Sequence, residues 1–462
     1  MNDFGRAGHE KRNEGGPVEG TEITVPSIDR RKFMTRVALG IVGLQAISIA
    51  KAVSARSGDA ARSSTPAETT FFTNPLFEFM FLVAMGKAYH QAGDIGKLLY
   101  IAGQIEDGNY DSAFQAFYDA GAEAEALAKQ SLNSGHRVSA REAFMWASNY
   151  YYSSTYFLDA SQDPSRMLPT WKLSRQCWDS AAALFTPKIK PVRIPYEKTT
   201  LSGYLYQCGN SSGPRPLLIL NNGSDGSILD MWCAGAAGAL ARGYNCLAFD
   251  GPGQGASLWL QHLYFRPDWE AVITPVVKFA LRLGCVDPRR IALLGVSQGG
   301  YWVTRAVAFE KRIAAAIVDP GVWNVSLPWL SALPSELLQM LNDGQKDDFD
   351  AAMESLPPAT QAAMQSRMRP YGITDYYDCF KAVEQYNVEP VVSKITCPML
   401  VTNPENETYF PGQPQQLYDM LPGANKYLLD FTAEQGADLH CEPKASGLRD
   451  LKIFDWLDEQ FK

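Results

Sequence analysis

The sequence has no paired cysteines. All eight, Cys177, Cys208, Cys233, Cys246, Cys285, Cys379, Cys397 and Cys441, stand alone, with no C-x-x-C, which excludes a thiolate metal cluster and a disulfide-knot fold. They are read as mostly buried thiols. An excess of positive charge is missing too. With 42 Lys and Arg against 50 Asp and Glu, the net charge is −8, so nothing in the composition would hold a nucleic-acid backbone. Long apolar runs are scarce. Val37 to Ala50, broken by Gln45 and Ser48, falls short of the ~20 residues a spanning helix requires, and no stable membrane anchor is expected. No repeat period is visible, which argues against a solenoid or propeller. What remains is an ordinary globular composition, 46% hydrophobic and 20% charged over 462 residues, enough for two or three domains at roughly 100–200 residues each.

The chain divides by texture. Arg30-Arg31, then Phe33, the short apolar run and the small-x-small stretch Val53-Ser54-Ala55 resemble a twin-arginine signal over 1–55, so export to the periplasm or beyond is expected. A polar, disordered linker is expected at 56–70. Residues 71–188 contain no convincing strand. Apolar residues recur there at helical spacing, and Gly93-Asp94, Gly108-Asn109, Asn133-Ser134-Gly135 and Asp163-Pro164 punctuate four to six helices, read as a cap domain. From 189 to 462, short apolar strands alternate with helices: Val192 to Tyr196, Leu201 to Tyr206, Pro216 to Leu220, Tyr244 to Phe249, Ile291 to Leu294, Ala314 to Val318, Pro398 to Thr402 and Tyr427 to Phe431. Such alternation predicts an α/β fold with a mainly parallel, doubly wound sheet covered on both faces. Residues 325–387 break it with a helical insertion over the sheet's C-terminal edge.

Gly295-Val296-Ser297-Gln298-Gly299-Gly300 follows one of these strands and precedes a helical run, the context of a nucleophile elbow. Ser297 is the candidate nucleophile, exposed at a helix N-terminus where developing negative charge is favoured. A serine hydroxyl needs a base. Of five histidines, His9, His90, His136 and His262 precede Ser297, and only His440 follows it, in the place that the order nucleophile, acid, histidine requires. The acid is expected after the strand Pro398 to Thr402, where Asn403-Pro404-Glu405-Asn406-Glu407 lies. Glu407 is assigned, with Glu405 and Asp319 as alternatives. The backbone N–H groups of Gln298 and Ser224 are expected to form the oxyanion hole. Asp250-Gly251-Pro252-Gly253-Gln254-Gly255 lacks the spacing of a phosphate loop and reads as a structural loop beside the site. Tyr150, Tyr151, Trp323 and His262 are candidate substrate contacts. Tyr152 and Trp171 are also possible aromatic lining, although core packing is the competing role for each.

Together with Ala140-Arg141-Glu142-Ala143-Phe144, Asn222-Gly223-Ser224-Asp225-Gly226 and Gly436-Ala437 before His440-Cys441, these motifs resemble the α/β-hydrolases that carry an N-terminal helical cap. Their likeness is to 2,6-dihydroxypseudooxynicotine hydrolase, the fungal pigment polyketide-shortening hydrolases and the FrsA-like esterases. The resemblance implies a serine hydrolase acting on an ester or on a carbon–carbon bond next to a carbonyl. It implies no metal and no organic cofactor. The expected partner is a small-molecule carbonyl substrate, with a homodimer as the possible assembly. Two alternatives stand beside it: a prolyl-oligopeptidase-like serine peptidase, and a catalytically silent binding protein on the same fold.

Overall fold

A computed structural model describes residues 70–209 and 213–462. The export-signal segment and nearly all of the linker expected before the cap lie outside them. Among the described residues five α-helices come first: α1 (Pro75–Gly86), α2 (Ile95–Gln104), α3 (Tyr110–Asn133), α4 (Arg137–Thr155) and α5 (Met167–Ala182). Their starts follow from the sequence. The side chains of Asn74, Asp94 and Asn109 accept the N–H groups that open α1, α2 and α3, satisfying donors that have no partner within the helix.

Eight strands follow: β1 (Lys190–Tyr196), β2 (Thr199–Tyr206), β3 (Arg215–Asn221), β4 (Asn245–Phe249), β5 (Val286–Val296), β6 (Ala315–Asp319), β7 (Met399–Pro404) and β8 (Lys426–Phe431). Their order in the sheet is β1-β2-β4-β3-β5-β6-β7-β8. The first two pairings, β1 with β2 and β2 with β4, are antiparallel. Every other pairing is parallel. All eight apolar segments read from the sequence are strands of this one sheet.

Helices cover both faces, as the buried sides of the strands demand. Between β3 and β4 lie α6 (Ile228–Met231) and α7 (Ala237–Ala241), and then come α8 (Gly255–Gln261), α9 (Glu270–Ala280) and α10 (Gly299–Val307). The stretch between β6 and β7 holds α11 (Ser326–Ser331), α12 (Ser335–Asn342), α13 (Lys346–Glu354), α14 (Pro358–Met368) and α15 (Tyr376–Val383). An antiparallel bridge between Asn324 and Asn387 closes this insertion at its neck. The chain ends with α16 (Gln413–Met420), β8 and α17 (Ser446–Gln460).

Side-chain alternation divides the strands between two cores. Leu217, Ile219, Leu247, Phe249, Ile291 and Leu293 join a cluster with α9, α10 and the insertion. Leu218, Leu220, Cys246, Ala248, Ala292 and Leu294 join the other, which runs without a break into the N-terminal helices through Phe81, Phe117 and Trp178. The helices therefore share the sheet's apolar core rather than owning a separate one. Contact is close enough that a Cβ on Gly86 would stand 1.9 Å from the carbonyl oxygen of Pro443. All eight cysteines are free; Cys177, Cys233, Cys246 and Cys379 are buried and the other four partly so. No helix among the described residues is long and apolar enough to cross a membrane.

Candidate active site

Ser297 occupies the turn from β5 into α10 with φ of 57°, in the left-handed region that serine seldom adopts. The strain is held by its neighbours. Its N–H donates to the Asp319 carbonyl at 2.6 Å, and its own carbonyl accepts the Gly300 N–H at 2.8 Å. The elbow glycines are forced by contact. A Cβ on Gly295 would lie 2.2 Å from the Gly299 carbonyl oxygen, and one on Gly300 would lie 2.2 Å from that of Pro320.

The hydroxyl of Ser297 lies 2.9 Å from His440 Nε2, and His440 Nδ1 lies 2.7 Å from Glu407 Oε2. With Nδ1–H donating to the carboxylate, Nε2 is left to accept the serine proton. Glu407 is itself held, because its Oε1 accepts the N–H groups of Tyr409 at 2.8 Å and Phe410 at 2.9 Å. The alternative acids are placed differently. Asp319 Oδ1 accepts from the Thr402 hydroxyl, and Glu405 reaches the Ala433 N–H. Burial of the His440 ring disfavours its cation, but the adjacent Glu407 carboxylate, with Asp319 and Asp225 beyond it, outweighs that and holds the imidazole above its ordinary value. Tyr409 packs on the ring at 4.5 Å between centroids.

Two backbone donors lie beside Ser297. Among the described residues, neither the Gln298 N–H nor the Ser224 N–H is engaged by a protein acceptor. The Gly223 N–H is unavailable, since it donates to the Asn222 side chain. Gly223 itself must be glycine, because a Cβ there would stand 2.8 Å from that of Ser297. This loop is braced by Gln254, whose side-chain amide donates to the carbonyls of Asn222 and Gly223, both at 2.8 Å. The Asp250-Gly251-Pro252-Gly253-Gln254-Gly255 stretch is thus structural. Asp250 in it pairs with Arg175 of α5 at 2.9 Å.

Ser297 and His440 open into a cavity of about 340 Å³, walled by α1, α4, the loop after β3, the insertion and the loop after β7. Ser224, Gln298, Tyr152 and Tyr156 line it. Four of the expected substrate contacts do not. Tyr150 is buried within the helical layer, where its hydroxyl accepts the Asp94 N–H. Tyr151 donates to Glu125 and lies flat on Gly121 of α3. The Trp323 indole donates to Gln416 on the protein's outside, and His262 is an exposed residue ending α8. Trp171 packs with Tyr152 but stays behind it. At the end of α4 the residues that reach the cavity are Tyr152, Thr155 and, at its C-cap, Tyr156, three and four apart and so on one face. That spacing was the available signal. Arg367 of α14 also lines the cavity, and no sequence motif marked it.

Residues 222–437 match the alpha/beta hydrolase family. Hydrolase LUC6 of a Fusarium species is 31% identical over 411 residues, which are 84% of this chain and 97% of the relative. The 20-hydroxy-prefusarin hydrolase FUS2 of Gibberella moniliformis is 31% identical over 409 residues, with the same coverage, 84% and 97%. Among solved structures, 2,6-dihydroxy-pseudo-oxynicotine hydrolase superposes with a TM-score of 0.64 at 19% identity, over 80% of this chain and 94% of the other. The sheet order, the elbow and a likeness that runs nearly end to end through the fungal relatives agree: this chain belongs to the alpha/beta hydrolase family.

Proposed function

We propose that the protein is a serine hydrolase of small carbonyl compounds, cleaving an ester or a carbon–carbon bond next to a carbonyl. The observation that carries the reading is the hydrogen-bonded line from Ser297 Oγ through His440 to Glu407, set beside a cavity of small-molecule size. In this reading His440 Nε2 takes the Ser297 proton as Oγ attacks the carbonyl carbon. The oxygen that becomes negative accepts the N–H groups of Gln298 and Ser224. Glu407 stabilises the imidazolium and keeps its orientation.

The bond to the leaving group then breaks. Its electron pair departs on an alkoxide oxygen or an enolate carbon, which receives the proton from His440, and the acyl group stays on Ser297. Water, deprotonated by His440, attacks the acyl carbonyl, frees the carboxylic acid and returns the proton to Ser297. A small-molecule substrate also agrees with the relative named as a 20-hydroxy-prefusarin hydrolase. The capped hydrolases that the sequence resembles support including carbon–carbon cleavage.

The test is chemical. A fluorophosphonate should label the wild-type protein at Ser297. Ser297→Ala should lose the label and lower turnover of p-nitrophenyl esters or aryl diketones by a factor on the order of 10⁴–10⁶. Undiminished turnover in that variant would end the serine reading.

A further inference from the structure

The two N–H groups of the expected oxyanion hole differ in how they are held. Gln298 opens α10 and is fixed by the elbow, whereas Ser224 belongs to the irregular loop between β3 and α6. The ends of that loop are braced. Gln254 holds the carbonyls of Asn222 and Gly223, and the Asn222 side-chain amide donates to the Ser227 carbonyl at 2.8 Å, where Ser227 and Asp230 close a capping box on α6. Packing does not hold the middle, because Asp225 is exposed and Ser224 and Gly226 are only half-buried. Among the described residues one hydrogen bond ties this stretch to the helical layer. The Tyr152 hydroxyl of α4 donates to the Asp225 carbonyl at 2.5 Å, across 73 positions of sequence.

We propose that Tyr152 is a positioning residue for the oxyanion hole: through the Asp225 carbonyl it fixes the stretch that presents the Ser224 N–H to the oxygen on which charge develops. The inference rests on the serine-hydrolase reading and deepens it, giving the helical domain a part in the chemistry as well as in the cavity wall. The donor is itself rigid. Tyr152 is buried, and its ring packs with Trp171 of α5 and Ala256 of α8 and edge-on against Tyr156 at 5.5 Å between centroids. Burial, with Asp230, Asp225 and Asp250 nearby, holds its phenol well above the ordinary value, so the hydroxyl keeps the proton it donates. The Asp225 carbonyl lies two peptide units beyond the Ser224 N–H, and the glycines on either side, Gly223 and Gly226, lack the Cβ that would restrict the backbone. Without the tie, the segment between them is free to turn. A preorganised donor stabilises an oxyanion because nothing has to move when the charge appears, and a misplacement of about 1 Å costs on the order of 100-fold in rate.

Tyr152→Phe removes the hydroxyl and keeps the ring. With p-nitrophenyl butanoate, kcat should fall about 10–100-fold at unchanged KM, the pattern of an interaction made only in the transition state. An unchanged kcat overturns the proposal, and so does a rise in KM at constant kcat, which would make Tyr152 a contact for bound substrate. Two ligands give a reading without turnover. Phenethyl trifluoromethyl ketone adds to a serine hydroxyl as a tetrahedral oxyanion and so uses the hole, whereas phenethyl methyl ketone binds as the intact carbonyl compound. The trifluoromethyl ketone should bind Tyr152→Phe about 10–100-fold more weakly than wild type, with the affinity of the methyl ketone unchanged. Equal weakening of both, with or without a fall in melting temperature, shows a packing role and overturns the positioning one. Failure of the serine reading would be seen separately, as absence of fluorophosphonate labelling in the wild-type protein.

Discussion

His440 must be neutral to accept the serine proton, so its charge state sets the working pH. Burial alone would favour the neutral ring, but Glu407 at 2.7 Å and the carboxylates beyond hold its pKa above the ordinary 6.5. The ring is cationic below that raised value. Activity should therefore be lost as pH falls through a point above 6.5. Glu407→Gln removes the charge that raises it, so the acid limb of a kcat/KM profile should move to lower pH, while kcat drops by about 10⁴ because the ring is no longer held in its productive form. An unmoved limb would show that Glu407 does not face His440 in solution. These residues were legible because chain order left a single histidine after Ser297, and a short loop offered few acids. Tyr150 and Tyr151 were misplaced for a physical reason. Tyr150, Tyr151 and Tyr152 are all buried, so hydrophobicity cannot report which one a rotation of about 100° per residue turns toward the sheet edge.

Among the elements, the strands were read with most success, since continuous apolar runs bounded by turn residues leave little choice of period. The elbow shows the same economy in three dimensions. β5 must pass the start of α10 so closely that Gly295 has no room for a methyl group against the Gly299 carbonyl. Gly295→Ala should destabilise the fold by about 1–3 kcal/mol, as overpacking in a rigid site does, and the denaturant midpoint would register it. Gly103 is a suitable control, because a Cβ there meets nothing within 4 Å. The insertion was legible only as an interruption of the alternation. Its contribution to the cavity was not, because Arg367 comes to line the same cavity as Ser297 only through the long-range placement of α14, which has no local signature.

Across the molecule, the N-terminal helices and the sheet are joined by apolar packing and by buried ion pairs. Lys87 and Asp230 meet at 2.7 Å with 5% and 16% of their side chains exposed, whereas Lys97 pairs with Glu123 at 26% and 70%. Breaking the first should leave a carboxylate stranded beside the cavity. Lys87→Met is expected to cost about 3–5 kcal/mol, and Lys97→Met at most about 1, a difference that thermal unfolding would resolve. The Ser446 hydroxyl donates to the Gly86 carbonyl across 360 positions of sequence, and His90 pairs with Asp450 of α17 at 2.9 Å. This separation bears on synthesis. The helices leave the ribosome before the sheet, in the N-to-C order in which chains emerge, yet the surface they dock on is completed only when α17 has been made. Until then, their apolar faces must wait in solvent or in the keeping of a chaperone, so these helices, made before the sheet, reach their final place only after it.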